Sequence, residues 1–358
     1  MGGLGMGIGS WRGRAVAGAA ALAALAVAAG CAPSPSCPSA IAVLTKIPTT
    51  VIDPAITLPE TMSTAAAPLS TPRNRLVLLF SGTGTGPTAV SAIAKALAAD
   101  GYHVLGVNYD SSLSTLKACP DKVVTTDPDC HRRFRAEEVF GEDVADPSGS
   151  SFDHSAIDVP IANSAMNSLM QQLDHMSTQF PAEGWGQFQA IEDGQCVRYS
   201  STYDVCEPRW SSTIPIGFSQ GAGVALYLSK FFDVDRVGML SGPFDAFRRT
   251  TGAAFAAPWV SDGGFATPSS DMAIFSHVDD VSIFRHRAVA DALGVAPIEA
   301  TVTRSDRPFG GAQRLLTDVT PYQSTGDRSA DAHNSTAANS CPWPTIHDGV
   351  WRYLASGE

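Results

Sequence analysis

The sequence has little positive charge. Its 24 Lys and Arg residues are outnumbered by 35 Asp and Glu residues, and the formal net charge is −11 over 358 residues. A nucleic-acid-binding surface needs a basic patch or stripe. The one basic cluster, at residues 131–135, is too short to provide it, and we interpret it as a solvated face. We therefore expect no nucleic-acid partner.

The common metal and cofactor motifs are also missing. No two cysteines have the C-x-x-C spacing of a structural zinc site. The glycine-rich stretch SGTGTGP at residues 81–87 is not a Walker loop, because Pro87-Thr88 stands where that loop has Lys-Ser or Lys-Thr. Its glycines also lack the G-x-G-x-x-G spacing of a dinucleotide site. We expect neither a metal ion nor an organic cofactor.

The N-terminal apolar run is too short to cross a membrane. It covers residues 15–29, whereas a spanning helix needs roughly 20 residues. It follows Arg12 and Arg14 and ends in Ala-Ala-Gly-Cys at Cys31, which resembles the signal of bacterial lipoproteins. We expect residues 1–30 to direct export and Cys31 to carry a lipid that anchors the protein to a membrane, in the periplasm or at the cell surface. The alternative is an ordinary signal peptide and a secreted protein.

The segment after Cys31 has the composition of a tether. Residues 31–72 are rich in Pro, Ser, Thr and Ala, which is typical of flexible linkers. We predict that they join the anchor to a domain formed by residues 73–358. Within the tether, residues 41–54 are compatible with an edge strand at most, because they contain prolines.

The remaining cysteines are even in number. Setting Cys31 aside leaves six, and an exported chain meets an oxidising compartment in which disulfides form. The short spacings suggest two local pairs, and the last two cysteines would then tie the ends of the domain together. The three predicted structural disulfides are Cys119–Cys130, Cys196–Cys206 and Cys37–Cys341.

Patterns of buried strands alternate with helical patterns from residue 75 onwards. The predicted strands lie at 75–80, 103–109, 212–218, 236–242, 272–277 and 314–319, and the predicted helices between and after them at 89–100, 224–232, 284–294 and 346–356. This alternation predicts an α/β fold with a mostly parallel central sheet flanked by helices. The segment at about 111–210 is far longer than one crossover needs. We predict a cap insertion there.

A serine lies between glycines where a predicted strand meets a predicted helix, in the stretch GFSQG (217–221). A nucleophilic serine needs a sharp strand-to-helix turn with small residues two positions before and after it. Gly217 and Gly221 meet that need, and we expect Gly223 to let the helix pack close to the sheet. We predict that Ser219 is a nucleophile and not an ordinary turn serine.

An acid and a base follow in the order that this strand–turn–helix arrangement uses, Ser, then Asp or Glu, then His. Asp280 comes just after the predicted strand 272–277 and is the predicted acid, with Asp279 as the alternative. His333 is the predicted base, because we place it in a long loop that can reach over the sheet. His347, in the last helix, is the alternative base.

An oxyanion hole needs two backbone N–H donors directed at the developing negative charge. The residue after the nucleophile, Gln220, should supply one donor, and the loop after the first core strand should supply the other. We nominate Thr83 in that loop, residues 81–87.

Together these segments resemble the α/β-hydrolase superfamily over residues 74–356. The stretches LLFSGTGTGP, GYHVLGVNY, GWGQF and GFSQGAGVALYLSK are similar to a bacterial exported or lipoprotein branch whose loop reads L-P-G-T-G-G. Ser81 replaces the usual proline or histidine of that loop, and Phe218 replaces the common histidine before the nucleophile. Neither position makes or breaks a bond, so these departures concern specificity.

The resemblance implies hydrolysis of a carboxylic ester, on a small molecule or a lipid, through an acyl-enzyme. In that reading Ser219 attacks, His333 moves the proton, Asp280 orients His333, and the amides of Thr83 and Gln220 hold the oxyanion. Two alternatives stay open. One is a catalytically inactive surface binding lipoprotein of the same fold, and the other is an acyltransferase.

Overall fold

The computed structural model describes residues 43–249, 252–296, 299–302, 309–320 and 325–358. The predicted export signal, the predicted lipidation site Cys31 and the predicted disulfide partner Cys37 lie outside the described residues. Among the described residues, no helix combines the length and apolar character needed to cross a membrane.

Strands and helices alternate along most of the chain. The strands are β1 (Thr45–Pro48), β2 (Met62–Ala66), β3 (Leu76–Phe80), β4 (His103–Val107), β5 (Ile191–Glu192), β6 (Gln195–Cys196), β7 (Thr213–Phe218), β8 (Val237–Leu240), β9 (Ala246–Arg248), β10 (Ala254–Ala256), β11 (Met272–His277), β12 (Glu299–Thr301) and β13 (Arg314–Thr317). The helices are α1 (Thr49–Ile52), α2 (Ser91–Ala99), α3 (Thr115–Ala118), α4 (Asp121–Val124), α5 (Cys130–Phe140), α6 (Ala165–Gln179), α7 (Gln220–Phe231), α8 (Pro258–Ser261), α9 (Ile283–Ala292), α10 (Arg328–Ser335) and α11 (Trp343–Ser356).

Nine of these strands form one sheet in the order β1-β2-β4-β3-β7-β8-β11-β13-β12. From β4 to β12 every neighbouring pair is parallel. Only the edge formed by β1 and β2 is antiparallel to its neighbours. The sheet is therefore mostly parallel, as predicted.

Helices cover both faces of the sheet. Alternate residues of β3 point to opposite faces: Leu76, Leu78 and Phe80 pack in the core that contains α6 and α7, and Val77 and Leu79 pack in the core that contains α2 and α11. All five side chains are buried. A strand enclosed in this way reads as a continuous apolar run, which is why the sequence shows it clearly.

The tether prediction is wrong for residues 43–72, because β1 and β2 lie in the main sheet. β2 pairs with β4, and its small residues are buried. The Gln172 side chain on α6 donates to the Thr64 carbonyl at 2.9 Å. Small Ser, Thr and Ala side chains are typical of linkers, but here their size lets α6 and the neighbouring strand approach closely.

The segment predicted as a cap supplies part of the helical layer. α5 packs against α7, and α6 packs against β4. Residues 111–119 lead from the carboxyl end of β4 past the start of α7, where the Thr115 backbone N–H donates to the Gln220 side chain at 3.2 Å. The long helices of the segment therefore cover a face of the sheet, and its first residues reach the site.

Both short-range disulfides are confirmed. Cys119 pairs with Cys130, at a Cα–Cα distance of 5.7 Å. Cys196 pairs with Cys206, at 5.1 Å. The third predicted pair includes Cys37 and so stays a prediction.

Candidate active site

Ser219 lies on a sharp turn between β7 and α7. Its backbone has φ 57° and ψ −116°, a conformation that side-chain-bearing residues rarely adopt and that functional sites hold under strain. The Ser219 N–H donates to the Leu240 carbonyl of the next strand at 2.8 Å. The turn presents the serine at the carboxyl end of the sheet, where α/β proteins bind ligands.

The glycines two positions before and after Ser219 leave no space for a side chain. A Cβ on Gly217 would lie 1.9 Å from the Gly221 carbonyl oxygen, and one on Gly221 would lie 2.3 Å from the Phe80 carbonyl oxygen. The role predicted for Gly223 is wrong. A Cβ there would lie 2.0 Å from Nη2 of Arg135, so this glycine makes room for a buried guanidinium.

Three predicted side chains form one hydrogen-bonded chain. Nε2 of His333 lies 2.9 Å from Oγ of Ser219, and Nδ1 of His333 lies 2.7 Å from Oδ2 of Asp280. A carboxylate can only accept, so Nδ1 carries the proton and Nε2 is free to accept the serine proton. The Ser282 N–H donates to the other oxygen of Asp280 at 2.8 Å. This is the geometry that activates a nucleophile.

The alternative acid and base lie elsewhere. Asp279 pairs with Arg328 at 2.7 Å on the surface. His347 is fully buried, and its Nδ1 lies 3.0 Å from the Ser335 carbonyl oxygen at the end of α10. The structure therefore brings Asp280 and His333 to Ser219 and keeps the other two away.

His333 lies on a short helix, α10, and not in the loop that the sequence predicted. Asp327 caps this helix by accepting from the backbone N–H of Ser329 at 2.9 Å. Ser241 Oγ donates to the His333 carbonyl at 2.8 Å, and Trp351 Nε1 donates to the Thr336 carbonyl at 2.8 Å. An aspartate cap is a recognisable helix signal, so the helix could have been predicted. These bonds fix the position of the imidazole.

The charge state of Asp280 suits its position. Burial acts to raise the pKa of Asp280, but the hydrogen bond and electrostatic attraction from His333, with further contributions from His286 and the Ser282 N–H, outweigh burial, and the net pKa is lowered. A carboxylate that stays ionised beside His333 stabilises the imidazolium form. The nearby His286 is buried, which lowers its pKa to about 4, so it is neutral at physiological pH.

The glycine-rich loop lies against the nucleophile. A Cβ on Gly82 would lie 3.1 Å from Cβ of Ser219, and Oγ1 of Thr83 donates to Oε1 of Gln220 at 2.8 Å. Within the described residues, no protein group accepts a hydrogen bond from the backbone N–H of Thr83 or of Gln220. The Thr83 N–H of this loop and the Gln220 N–H at the start of α7 are thus both available near Ser219.

The interpretation of residues 131–135 as a solvated face is wrong at its ends. His131 and Arg135 are fully buried. Arg135 pairs with Glu138 at 2.6 Å and with Asp245 at 2.8 Å, and all three side chains are almost completely inaccessible. Burial raises the pKa of Glu138 to about 7, while Arg135 acts in the opposite direction. The sequence carries no signal of this cluster, because Asp245 is 110 residues away from Arg135.

One group of described residues has the composition of a metal site. Nε2 of His154 lies 3.5 Å from Sγ of Cys119 and 3.2 Å from Sγ of Cys130. The two sulfurs are bonded to each other. Nδ1 of His154 accepts from the Ala156 N–H at 3.2 Å, so Nε2 carries the proton and donates to the disulfide. In this state the group does not offer metal ligands.

No family model and no curated protein matched the chain. Solved structures to which the chain is similar include a proposed carboxylesterase from Lactobacillus plantarum, with 14% identity, coverage of 88% of this chain and 98% of that chain, and a TM-score of 0.37. A proposed dienelactone hydrolase from Klebsiella pneumoniae has 12% identity, 88% and 97% coverage, and a TM-score of 0.36. A serine hydrolase without a lid from Xanthomonas campestris has 12% identity, 90% and 99% coverage, and a TM-score of 0.33.

These likenesses are too remote to indicate an activity. The sheet itself is mostly parallel and flanked by helices, and Ser219 stands on a strand–turn–helix in its middle. The chain has the α/β-hydrolase fold.

Proposed function

We propose that the protein is an exported serine hydrolase that cleaves carboxylic esters. The observation that carries this proposal is the hydrogen-bonded chain from Asp280 through His333 to Oγ of Ser219, with distances of 2.7 and 2.9 Å. Acyl transfer is the reaction that a strained serine, a correctly oriented imidazole and a buried carboxylate catalyse together.

In the first half of the reaction, Oγ of Ser219 attacks the ester carbonyl carbon while Nε2 of His333 takes the hydroxyl proton. The carbonyl oxygen becomes an oxyanion, which the N–H groups of Thr83 and Gln220 stabilise. The C–O bond to the alcohol then breaks, and His333 gives its proton to the leaving alkoxide. Asp280 holds the Nδ1 proton throughout and stabilises the imidazolium.

In the second half, water attacks the acyl-enzyme carbonyl and His333 takes its proton. The tetrahedral intermediate collapses to a carboxylic acid, and Oγ of Ser219 leaves with the proton from His333. The side chain of His333 is 20% exposed, so part of the imidazole is open to water.

Two aromatic rings flank the base. The Phe218 ring centroid lies 5.3 Å from that of His333, and the Phe244 centroid lies 5.6 Å from it. An apolar surface beside the base favours an ester with an apolar acyl or alcohol group. We propose a small-molecule or lipid ester as substrate.

Export is supported by the two disulfides, Cys119–Cys130 and Cys196–Cys206, because such bonds persist in oxidising compartments. Processing after residue 30 and lipidation of Cys31 remain part of the proposal. They would hold the enzyme at a membrane surface, within reach of lipid esters. Mass spectrometry of the mature N-terminus tests this part.

Labelling with a fluorophosphonate tests the hydrolase proposal against an inactive binding protein. We expect the wild type to react at one serine, and Ser219→Ala to remain unlabelled and to lose activity on p-nitrophenyl butyrate by about 10⁴-fold or more. Ser229→Ala, which changes a serine of α7 away from the turn, is the control and should label like the wild type. An unlabelled wild type, or equal labelling of Ser219→Ala, would refute the proposal.

An acyltransferase would share the same three side chains. The two activities differ in whether water or another alcohol accepts the acyl group from Ser219. Adding an alcohol to the p-nitrophenyl butyrate assay separates them. We expect butyric acid as the main product, whereas a dominant butyryl ester would favour the transferase.

A further inference from the structure

The Gln220 side chain uses its full hydrogen-bonding capacity. Oε1 accepts from the Thr83 hydroxyl at 2.8 Å and from the Thr115 N–H at 3.2 Å. Nε2 donates to the Leu113 carbonyl at 2.8 Å and to the Glu138 carboxylate at 2.6 Å. A backbone N–H can only donate and a carbonyl can only accept, so these partners fix which end of the amide is oxygen.

A buried ion cluster, formed by Arg135, Glu138 and Asp245, lies behind this amide. Arg135 donates to both carboxylate oxygens of Asp245, from Nε to Oδ1 at 3.0 Å and from Nη2 to Oδ2 at 2.8 Å. It also donates to Glu138 at 2.6 Å and to the Gln220 backbone carbonyl at 3.1 Å. The cluster therefore holds both the backbone and the side chain of the residue that follows the nucleophile.

Such a cluster is a poor device for stability alone. Removing charges from water costs several kcal/mol for each ion, and apolar residues of similar volume often serve stability as well or better. What a satisfied cluster provides is a rigid arrangement with few alternative hydrogen bonds. Because the cluster contacts the first turn of α7, this rigidity fixes the position of Gln220.

Thr83 depends on Gln220 for its position. Of the polar groups of Thr83, its hydroxyl is the one with a protein partner among the described residues, and that partner is Oε1 of Gln220. Its neighbours in the loop are anchored separately, because the Gly84 N–H donates to the Ser111 carbonyl at 2.8 Å and the Ser81 hydroxyl donates to the Thr85 carbonyl at 2.6 Å. The backbone of Thr83 is left to be fixed by its side chain.

We propose that the Gln220 side chain and the buried ion cluster are a positioning device for the oxyanion hole. Glu138 and Arg135 hold the Gln220 amide, the amide holds the Thr83 hydroxyl, and the hydroxyl holds the Thr83 N–H at the distance from Ser219 that the oxyanion requires. This inference rests on the proposed hydrolase function. Arg135 and Glu138 act through Gln220 and make no contact with the reacting atoms.

Thr83→Val and Thr83→Ser form a matched pair of variants. Valine keeps the shape of threonine and removes the hydroxyl, while serine keeps the hydroxyl. Loss of one oxyanion donor costs about 10²–10³ in kcat, and a displaced donor should cost part of that. We expect Thr83→Val to lower kcat on p-nitrophenyl butyrate by about 10- to 100-fold with little change in KM, and Thr83→Ser, which keeps the hydroxyl, to recover most of that loss.

A second pair of variants, Glu138→Gln and Glu137→Gln, tests whether the ion cluster acts on Thr83 through Gln220. Both glutamates are buried on α5, but Glu137 accepts from the backbone N–H groups of His154 and Val159 and not from Gln220. We expect Glu138→Gln to lower kcat about tenfold and Glu137→Gln to lower only the free energy of unfolding. Binding of butyl boronic acid, whose tetrahedral adduct places an oxygen in the hole, should weaken in parallel with kcat.

The results separate this inference from the proposed function. An inactive or unlabelled wild type refutes the function. An active wild type with an inactive Ser219→Ala supports it, and the inference then fails if Thr83→Val keeps kcat within about twofold, or if Thr83→Ser loses as much as Thr83→Val. An unchanged kcat in Glu138→Gln overturns the role of the ion cluster. If that variant does not fold, the Thr83 pair still decides whether the hydroxyl positions the loop.

Discussion

Nδ1 of His333 lies 2.7 Å from Oδ2 of Asp280, although 53 residues separate them in the chain. Asp280 follows β11 and His333 lies on α10, so the contact exists only because the fold returns α10 to the carboxyl end of the sheet. The neighbouring Asp279 faces the other way and binds Arg328 at 2.7 Å. Two adjacent carboxylates thus have different partners and should respond differently to the same substitution.

Asp280→Asn should lower kcat by about 10⁴-fold, because an amide can donate to Nδ1 and so favours the wrong histidine tautomer. Asp279→Asn, the matched control, removes an exposed ion pair and should leave kcat within about twofold of the wild type, since such pairs contribute about 0–1 kcal/mol. Steady-state hydrolysis of p-nitrophenyl butyrate measures both. Equal losses in the two variants would contradict the assignment of Asp280.

His347→Ala should affect stability more than catalysis. His347 is fully buried, stacks on Trp343 with a centroid distance of 5.4 Å and supports the end of α10 through Ser335. We expect a loss of roughly 2–4 kcal/mol in the free energy of unfolding, as for other large buried side chains, and a fall in kcat of less than about tenfold.

His333→Ala is the opposite case. His333 is partly exposed, and its loss should abolish turnover with little change in unfolding. Urea titrations followed by circular dichroism, together with kcat, measure both variants. An inactive but stable His347→Ala, with an active His333→Ala, would show that the base has been assigned to the wrong histidine.

The sheet and the three central side chains could be predicted because their signals are local. β3 is a continuous apolar run and β7 and β11 are mostly apolar, and a serine between Gly217 and Gly221 at a strand end implies a sharp turn. The order of the acid and the base along the chain then led to the prediction of Asp280 and His333. What failed depends on contacts between distant segments. The sequence of β2 has the composition of a linker, but in the fold α6 and β4 bury it. Arg135 has the sequence context of a surface residue, but in the fold it is buried and paired with Asp245.

The buried histidines should make stability fall as the pH decreases from about 6.5 towards 4, while the raised pKa of Glu138 acts in the opposite direction. Burial lowers the pKa of three histidines, His131, His286 and His347, to about 4. Their ordinary pKa is about 6.5, so in this interval the unfolded chain binds protons that the folded protein does not. Each group contributes stability that is complete above about pH 6.5 and is lost as the pH falls through its folded pKa.

The slope of stability against pH gives a quantitative check. One proton bound on unfolding corresponds to about 1.4 kcal/mol per pH unit, so three histidines contribute up to about 4 kcal/mol per pH unit near pH 5. His347→Asn keeps a donor for the Ser335 carbonyl and removes the titration. Urea unfolding of His347→Asn at pH 7, 6 and 5 should give a free energy of unfolding that falls less steeply with decreasing pH than that of the wild type. The difference in slope should correspond to about one proton. An unchanged slope would mean that His347 binds a proton equally in both states.

Gly223→Ala should destabilise the protein, against the usual trend. Replacing glycine with alanine inside a helix normally gains about 0.5–1 kcal/mol. In α7, however, the added Cβ would lie 2.0 Å from Nη2 of Arg135, and the guanidinium cannot move away without breaking its buried pair with Asp245, which would cost about 3–5 kcal/mol. The free energy of unfolding should fall by a few kcal/mol, and kcat should fall with it if Arg135 supports Gln220.

The same substitution in an Arg135→Met background provides the control. Methionine is flexible and can move away from a Cβ at position 223. Gly223→Ala should therefore lower the free energy of unfolding much less in this background than in the wild type. The difference between the two costs is the coupling energy of a double-mutant cycle, and we expect at least about 1 kcal/mol, as for residues in direct contact. Additive effects would show that the glycine is required for a reason other than its contact with Arg135.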